Sequence, residues 1–66
     1  MKYKEGDTVK LTAIASDFYA SRGEPVDQNT EFNVVWCRYN EKDESASLYG
    51  IQSGDIQLKV FQNELQ

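Results

Sequence analysis

The sequence predicts an all-β fold: a small SH3-like barrel of four to five antiparallel strands, with one long loop containing a short helical turn. Three observations predict it. Apolar residues recur at strand period in several short runs. A Ser53-Gly54 pair stands between two of those runs, where a two-residue hairpin loop belongs. The registers implied by successive hairpins sort the apolar side chains consistently.

In chain order, Gly6-Asp7 marks a turn. Val9, Leu11 and Ala13 then alternate with Thr8, Lys10 and Thr12, which is a strand. Residues 16–30 are long for a hairpin loop and hold the only proline. Ser16 or Asp17 is placed to cap a short helical turn, with Arg22 near its end and Gly23 as the stop. Glu24 precedes Pro25 and is expected to be extended. A second strand is expected over 31–39, a charged connection over 40–45, a third strand over 46–52 and a fourth over 55–61. The closing FQNELQ suits a tight turn that docks Leu65.

With Ser53-Gly54 as the loop, Ile51 faces Ile56, Tyr49 faces Leu58 and Ser47 faces Val60. With 40–45 as the preceding loop, Tyr39 meets Ala46, Cys37 meets Leu48 and Trp36 meets Tyr49. One face then collects Phe32, Val34, Trp36, Tyr49, Ile51, Ile56, Leu58 and Val60. It is the expected core, closed over by Val9, Leu11 and Ile14 of the first strand. Each large side chain buried there contributes ~1.5–3 kcal/mol before entropy is subtracted. This sorting requires Trp36 and Leu58 on the same side of the sheet. The second face collects Val35, Cys37, Tyr39, Ala46, Leu48 and Phe61, so it too is apolar. Three covers are available to it: the 16–30 excursion with Phe18, Tyr19 and Val26, a second copy of the chain, or an external partner.

Sixty-six residues make a single domain over 1–66. A fold of this size buries only ~60% of the surface its unfolded chain exposes. One cysteine and no histidine exclude an intramolecular disulfide and a zinc site of the usual Cys/His kind. No metal or cofactor is expected. No stretch is long enough to span a membrane, and the polar start MKYKEGD is not a signal peptide. A lone thiol then suggests a cytoplasmic setting. Eleven acidic against seven basic residues give a net charge of −4, which argues against sequence-independent nucleic-acid binding.

The segments GDTVKL, GEPV, VVWCRYN and FQNEL resemble a family of small uncharacterised bacterial and phage proteins. Those proteins read GDxVxL, then GGP with an apolar residue, then VxCxW, then FxxxEL near the end. Gly6, Asp7, Val9 and Leu11 match the first motif, and Phe61, Glu64 and Leu65 supply the residue types of the last, with two residues rather than three between Phe61 and Glu64. Gly23, Pro25 and Cys37 also match. Glu24 stands where a glycine is usual, and Tyr39 at the tryptophan position. The resemblance implies a compact SH3-like barrel and no established enzymatic activity.

Candidate sites are few. Cys37 has no histidine to serve as base and reads as a small strand-centre hydrophobe. Asp17, Glu24 and Asp27 share a loop, but their spacing matches no calcium loop. Aromatic grooves beside acidic loops do read peptides in SH3 domains. The expected function is therefore a non-enzymatic protein-interaction module, an adaptor or inhibitor that occupies a surface on a protein partner; a phage or mobile-element origin fits such a chain. The expected partner-binding residues are Phe18, Tyr19, Arg22, Glu24 and Tyr39. The aromatics would anchor, and the carboxylates would select a basic partner. The alternatives are a nucleic-acid-associated small barrel, favoured if Lys2, Lys4, Lys10 and Lys59 converge beside exposed aromatics, and a homodimeric structural protein joined through the second sheet face.

Overall fold

Four antiparallel strands, β1 (Thr8–Val9), β2 (Phe32–Arg38), β3 (Leu48–Ser53) and β4 (Ile56–Phe61), pair in chain order in a computed structural model that describes residues 2–66. Helix α1 (Ala13–Ser21) lies between β1 and β2, and single 3-10 turns cover Glu44–Ala46 and Gln62–Glu64. The domain is thus mixed α/β, a curled half-barrel sheet with one short helix, rather than all-β. Among the described residues no helix is long and apolar enough to cross a membrane.

The expected first strand is cut short at Thr12. Its side chain accepts a hydrogen bond from the Ala15 backbone N–H at 3.1 Å, which caps α1 four residues ahead of the expected Ser16. Alternation over Thr8–Ala13 therefore gives way to helix, and Ile14 is left 85% exposed instead of closing the core. The helix ends as its sequence suggests. Gly23 takes φ 95°, the Gly23 N–H donates to the Ala20 carbonyl, and the Glu24 N–H donates to the Tyr19 carbonyl. That pair of bonds is the Schellman closure, which needs a left-handed residue after the helix.

The hairpin between β3 and β4 turns on Gly54-Asp55, with Gly54 at φ 59°, one residue later than expected. Tyr49 pairs with Val60, Ile51 with Leu58 and Ser53 with Ile56. Each partner is displaced by two residues from expectation, and because side chains alternate with period two, every face is preserved.

The β2–β3 ladder differs more. Asn33 pairs with Gln52 and Val34 with Ile51, in the expected register. A bulge then intervenes, and beyond it Trp36 pairs with Gly50, Cys37 with Tyr49 and Arg38 with Leu48. One extra residue exchanges the faces of everything after it. Cys37 turns to the core side, where it packs against the buried cluster. Trp36 turns outward, so Trp36 and Leu58 lie on opposite faces, contrary to the sorting inferred from the sequence.

The core comprises Val9, Leu11, Ala15, Val26, Phe32, Val34, Tyr49, Ile51, Val60 and Leu65. All of the expected inner set except Trp36 is buried in it or packs against it. Leu65 docks as anticipated: it bridges Leu11 in antiparallel fashion, flanked by bonds from Thr12 N–H to the Glu64 carbonyl and from Gln66 N–H to the Lys10 carbonyl. The buried Tyr49 hydroxyl donates to Gln62 Oε1 at 2.7 Å, joining β3 to the C-terminal turn.

Candidate functional site

The excursion after β1 does not cover the second sheet face. Ala15 and Ser16 of α1 and Val26 beyond it are buried, and Tyr19 packs on the core cluster. The excursion therefore caps the core side, and the outer face of the sheet stays open. Val35, Trp36 and Phe61 on that face are each between about a third and a half exposed (46%, 39% and 47%).

The bulge explains why two adjacent residues, Val35 and Trp36, are both exposed on one strand. Gly50 explains how the indole can lie down. A Cβ built at Gly50 would overlap the Trp36 ring, so the ring crosses the β3 backbone where any other residue would hold it off. Trp36 shares its row of the sheet with Gly50 and Lys59, and the next row holds Arg38, Leu48 and Phe61. A shallow groove runs beside the indole, bounded by Val35, Gln57 and Lys59. A second lies between Leu48 and the loop after β2, lined by Arg38, Tyr39, Asn40 and Glu41. Asn40 shapes that loop by accepting from the Lys42 and Asp43 N–H groups, while Ser47 Oγ accepts from the Asn40 N–H.

The residues expected to bind a partner are split between two places. Phe18, Tyr19 and Arg22 come together at the end of α1: the rings of Phe18 and Tyr19 meet edge to face at 5.2 Å, and the Arg22 guanidinium sits 5.4 Å from the Phe18 ring centre. Phe18 is half exposed and flanks a groove shared with Ile14, Thr12 and Glu64. Tyr19 is held in place, its hydroxyl donating to Glu64 Oε2 at 3.1 Å and lying 3.4 Å from the Lys59 carbonyl. Partial burial, then the Glu64 charge and hydrogen bond, push its pKa from 10.0 up to about 12. Glu24 is half buried, its backbone committed to the helix cap. Tyr39 is exposed but lines the groove by the β2–β3 loop, which shares no residue with the one beside Phe18.

Val35, Trp36 and Phe61 are the large apolar side chains exposed on the outer face; the sequence reading placed Val35 and Phe61 on that face but assigned Trp36 to the core. The signal was present: an isolated glycine inside the strand LYGIQS marks a bulge or a close approach by another group. Among the described residues no three His, Cys, Asp or Glu side chains converge on one point, so Asp17, Glu24 and Asp27 do not assemble a cation site. No protein-family model, curated protein or solved structure matches the chain.

Proposed function

We propose that this chain is a small SH3-like barrel that works as a non-enzymatic protein-interaction module, an adaptor or inhibitor whose contact surface is the open outer face of the sheet. The order of elements supports the fold assignment. A first strand, a long excursion, three strands joined by a loop and a tight hairpin, a single 3-10 turn and a final bridge back to the first strand succeed one another as in SH3-like barrels.

The observation that carries the function is the display of Trp36. Two local irregularities cooperate in it: a bulge that turns the residue outward and a glycine that lets its ring lie across the neighbouring strand. A glycine inside a strand costs roughly 0.5–1 kcal/mol relative to alanine. In a marginal 66-residue domain such a cost is appreciable, and it serves a tryptophan that water, not the core, receives. Tryptophan is among the side chains most enriched at binding hot spots, and Trp36 is 39% exposed beside Val35 on the open face. The Phe18–Arg22 cluster of α1 is the competing surface.

Affinity capture from the native cell separates the two. Trp36→Ser should abolish recovery of the partner, whereas Phe18→Ser should leave it unchanged, both variants still unfolding cooperatively. Undiminished recovery by folded Trp36→Ser would reject the outer face.

A further inference from the structure

None of the eleven acidic residues lies in a strand; all stand in loops, turns or α1. The only charged residues in the strands are Arg38 and Lys59, and both belong to the outer face by register. In a chain of net charge −4, the strand-borne charges of the outer face are thus both positive, with Glu41 of the following loop beside Arg38 at one edge. We infer that this surface binds an extended acidic peptide segment bearing apolar anchors, an assignment of partner chemistry that rests on the outer face being the contact surface.

The arrangement of the four side chains sets the pattern such a segment needs. Trp36 and Arg38 stand on β2, Lys59 and Phe61 on β4, with Gly50 and Leu48 between them. Each row therefore pairs an aromatic on one strand with a cation on the other, and the order reverses between rows. The two strands are two inter-strand spacings apart, about 10 Å; the indole over Gly50 and the Leu48 side chain floor the space between them, and an extended chain lies over that floor. Carboxylates of the segment meet Arg38 and Lys59 while apolar side chains settle on Trp36 and Phe61. The long-range field of the chain is negative, so the cations act at contact rather than by steering. Nucleic acid is disfavoured more strongly, because its dense phosphates would outnumber the two cations of the face.

Selection from a random peptide library on the immobilised full chain tests this, with Trp36→Ser as counter-selection and Phe61→Ser in its place should the first variant lose cooperative unfolding. The expected result is a set of Trp36-dependent peptides in which Asp and Glu flank apolar or aromatic residues. A representative of that set should bind the double variant Arg38→Gln/Lys59→Gln roughly tenfold more weakly, and bind more weakly with added salt. Trp36-dependent peptides that are neutral or basic would overturn the acidic assignment and leave the surface standing. Peptides indifferent to Trp36, or no enrichment at all, would overturn both. Tighter, Trp36-dependent binding of a single-stranded oligothymidylate probe would overturn the peptide in favour of nucleic acid. A dimer in sedimentation that Trp36→Ser dissolves would overturn it in favour of a second copy.

Discussion

The indole of Trp36 lies across Gly50, its partner on β3, so closely that a Cβ at position 50 would overlap the ring. Gly50→Ala should therefore invert the usual effect of filling a strand glycine. Instead of gaining roughly 0.5–1 kcal/mol, the variant should lose about 1 kcal/mol as the ring is driven into water. Trp36 is the only tryptophan, so its fluorescence reports the site alone. A red-shifted emission with a lower urea midpoint is expected; unchanged emission would mean that the ring does not rest on Gly50.

Thr12, not Ser16 or Asp17, starts the helix. Thr12→Ala removes the acceptor for the Ala15 N–H and should cost about 1 kcal/mol. Asp17→Ala, on an exposed position inside α1, should change the midpoint by less than about 0.5 kcal/mol. Equal losses at both sites would argue against this cap.

How far the sequence could reveal these features depends on whether the cause was local. Gly23 could be foreseen as a helix stop, because a left-handed closure depends on one residue and its neighbours. The docking of Leu65 was legible as well, since only a tight turn brings so short a tail back. The start of α1 was not, because Thr8–Ala13 alternates like a strand until the cap at Thr12 takes over. The bulge was hidden for another reason. Val34, Val35 and Trp36 are apolar in succession, so either parity after Val34 fits the pattern, and Gly50 across the ladder decides between them. The two-residue displacement at Gly54 was invisible too, but harmless, because it returns every side chain to its own face. The inward assignment of Trp36 left it out of the expected site, which centred on Phe18, Tyr19 and their neighbours.

Closure of the half-barrel rests on Leu11, fully buried and bridged to Leu65. Leu11→Ala should cost about 2–5 kcal/mol. In a domain this small that loss approaches the whole stability, so a broad, non-cooperative melt is expected. A cooperative melt near the parent's midpoint would show that the C-terminal bridge contributes little.

Tyr19 gives the fold a dependence on alkaline pH. Its pKa is 10.0 when unfolded and about 12 when folded, so the folded state favours the neutral phenol. The resulting stability is fully present below pH 10 and declines as pH rises toward 12, because the unfolded chain releases its proton first. Burial raises the Tyr49 hydroxyl as well, so part of the decline belongs to that residue. Tyr19→Phe should reduce the fall in urea midpoint across this window without removing it. An identical fall in both proteins would contradict the raised Tyr19 pKa that burial and Glu64 together produce.

The outward turn of Trp36 is the point from which the contact surface and its partner chemistry both follow, and nuclear Overhauser spectroscopy reads it directly. Cross-peaks from the indole ring protons to the α protons of Gly50 are expected, together with contacts to Lys59 across the same row. Strong cross-peaks instead from the indole to Tyr49, Leu58 or Phe32 would place the ring in the core and contradict the account.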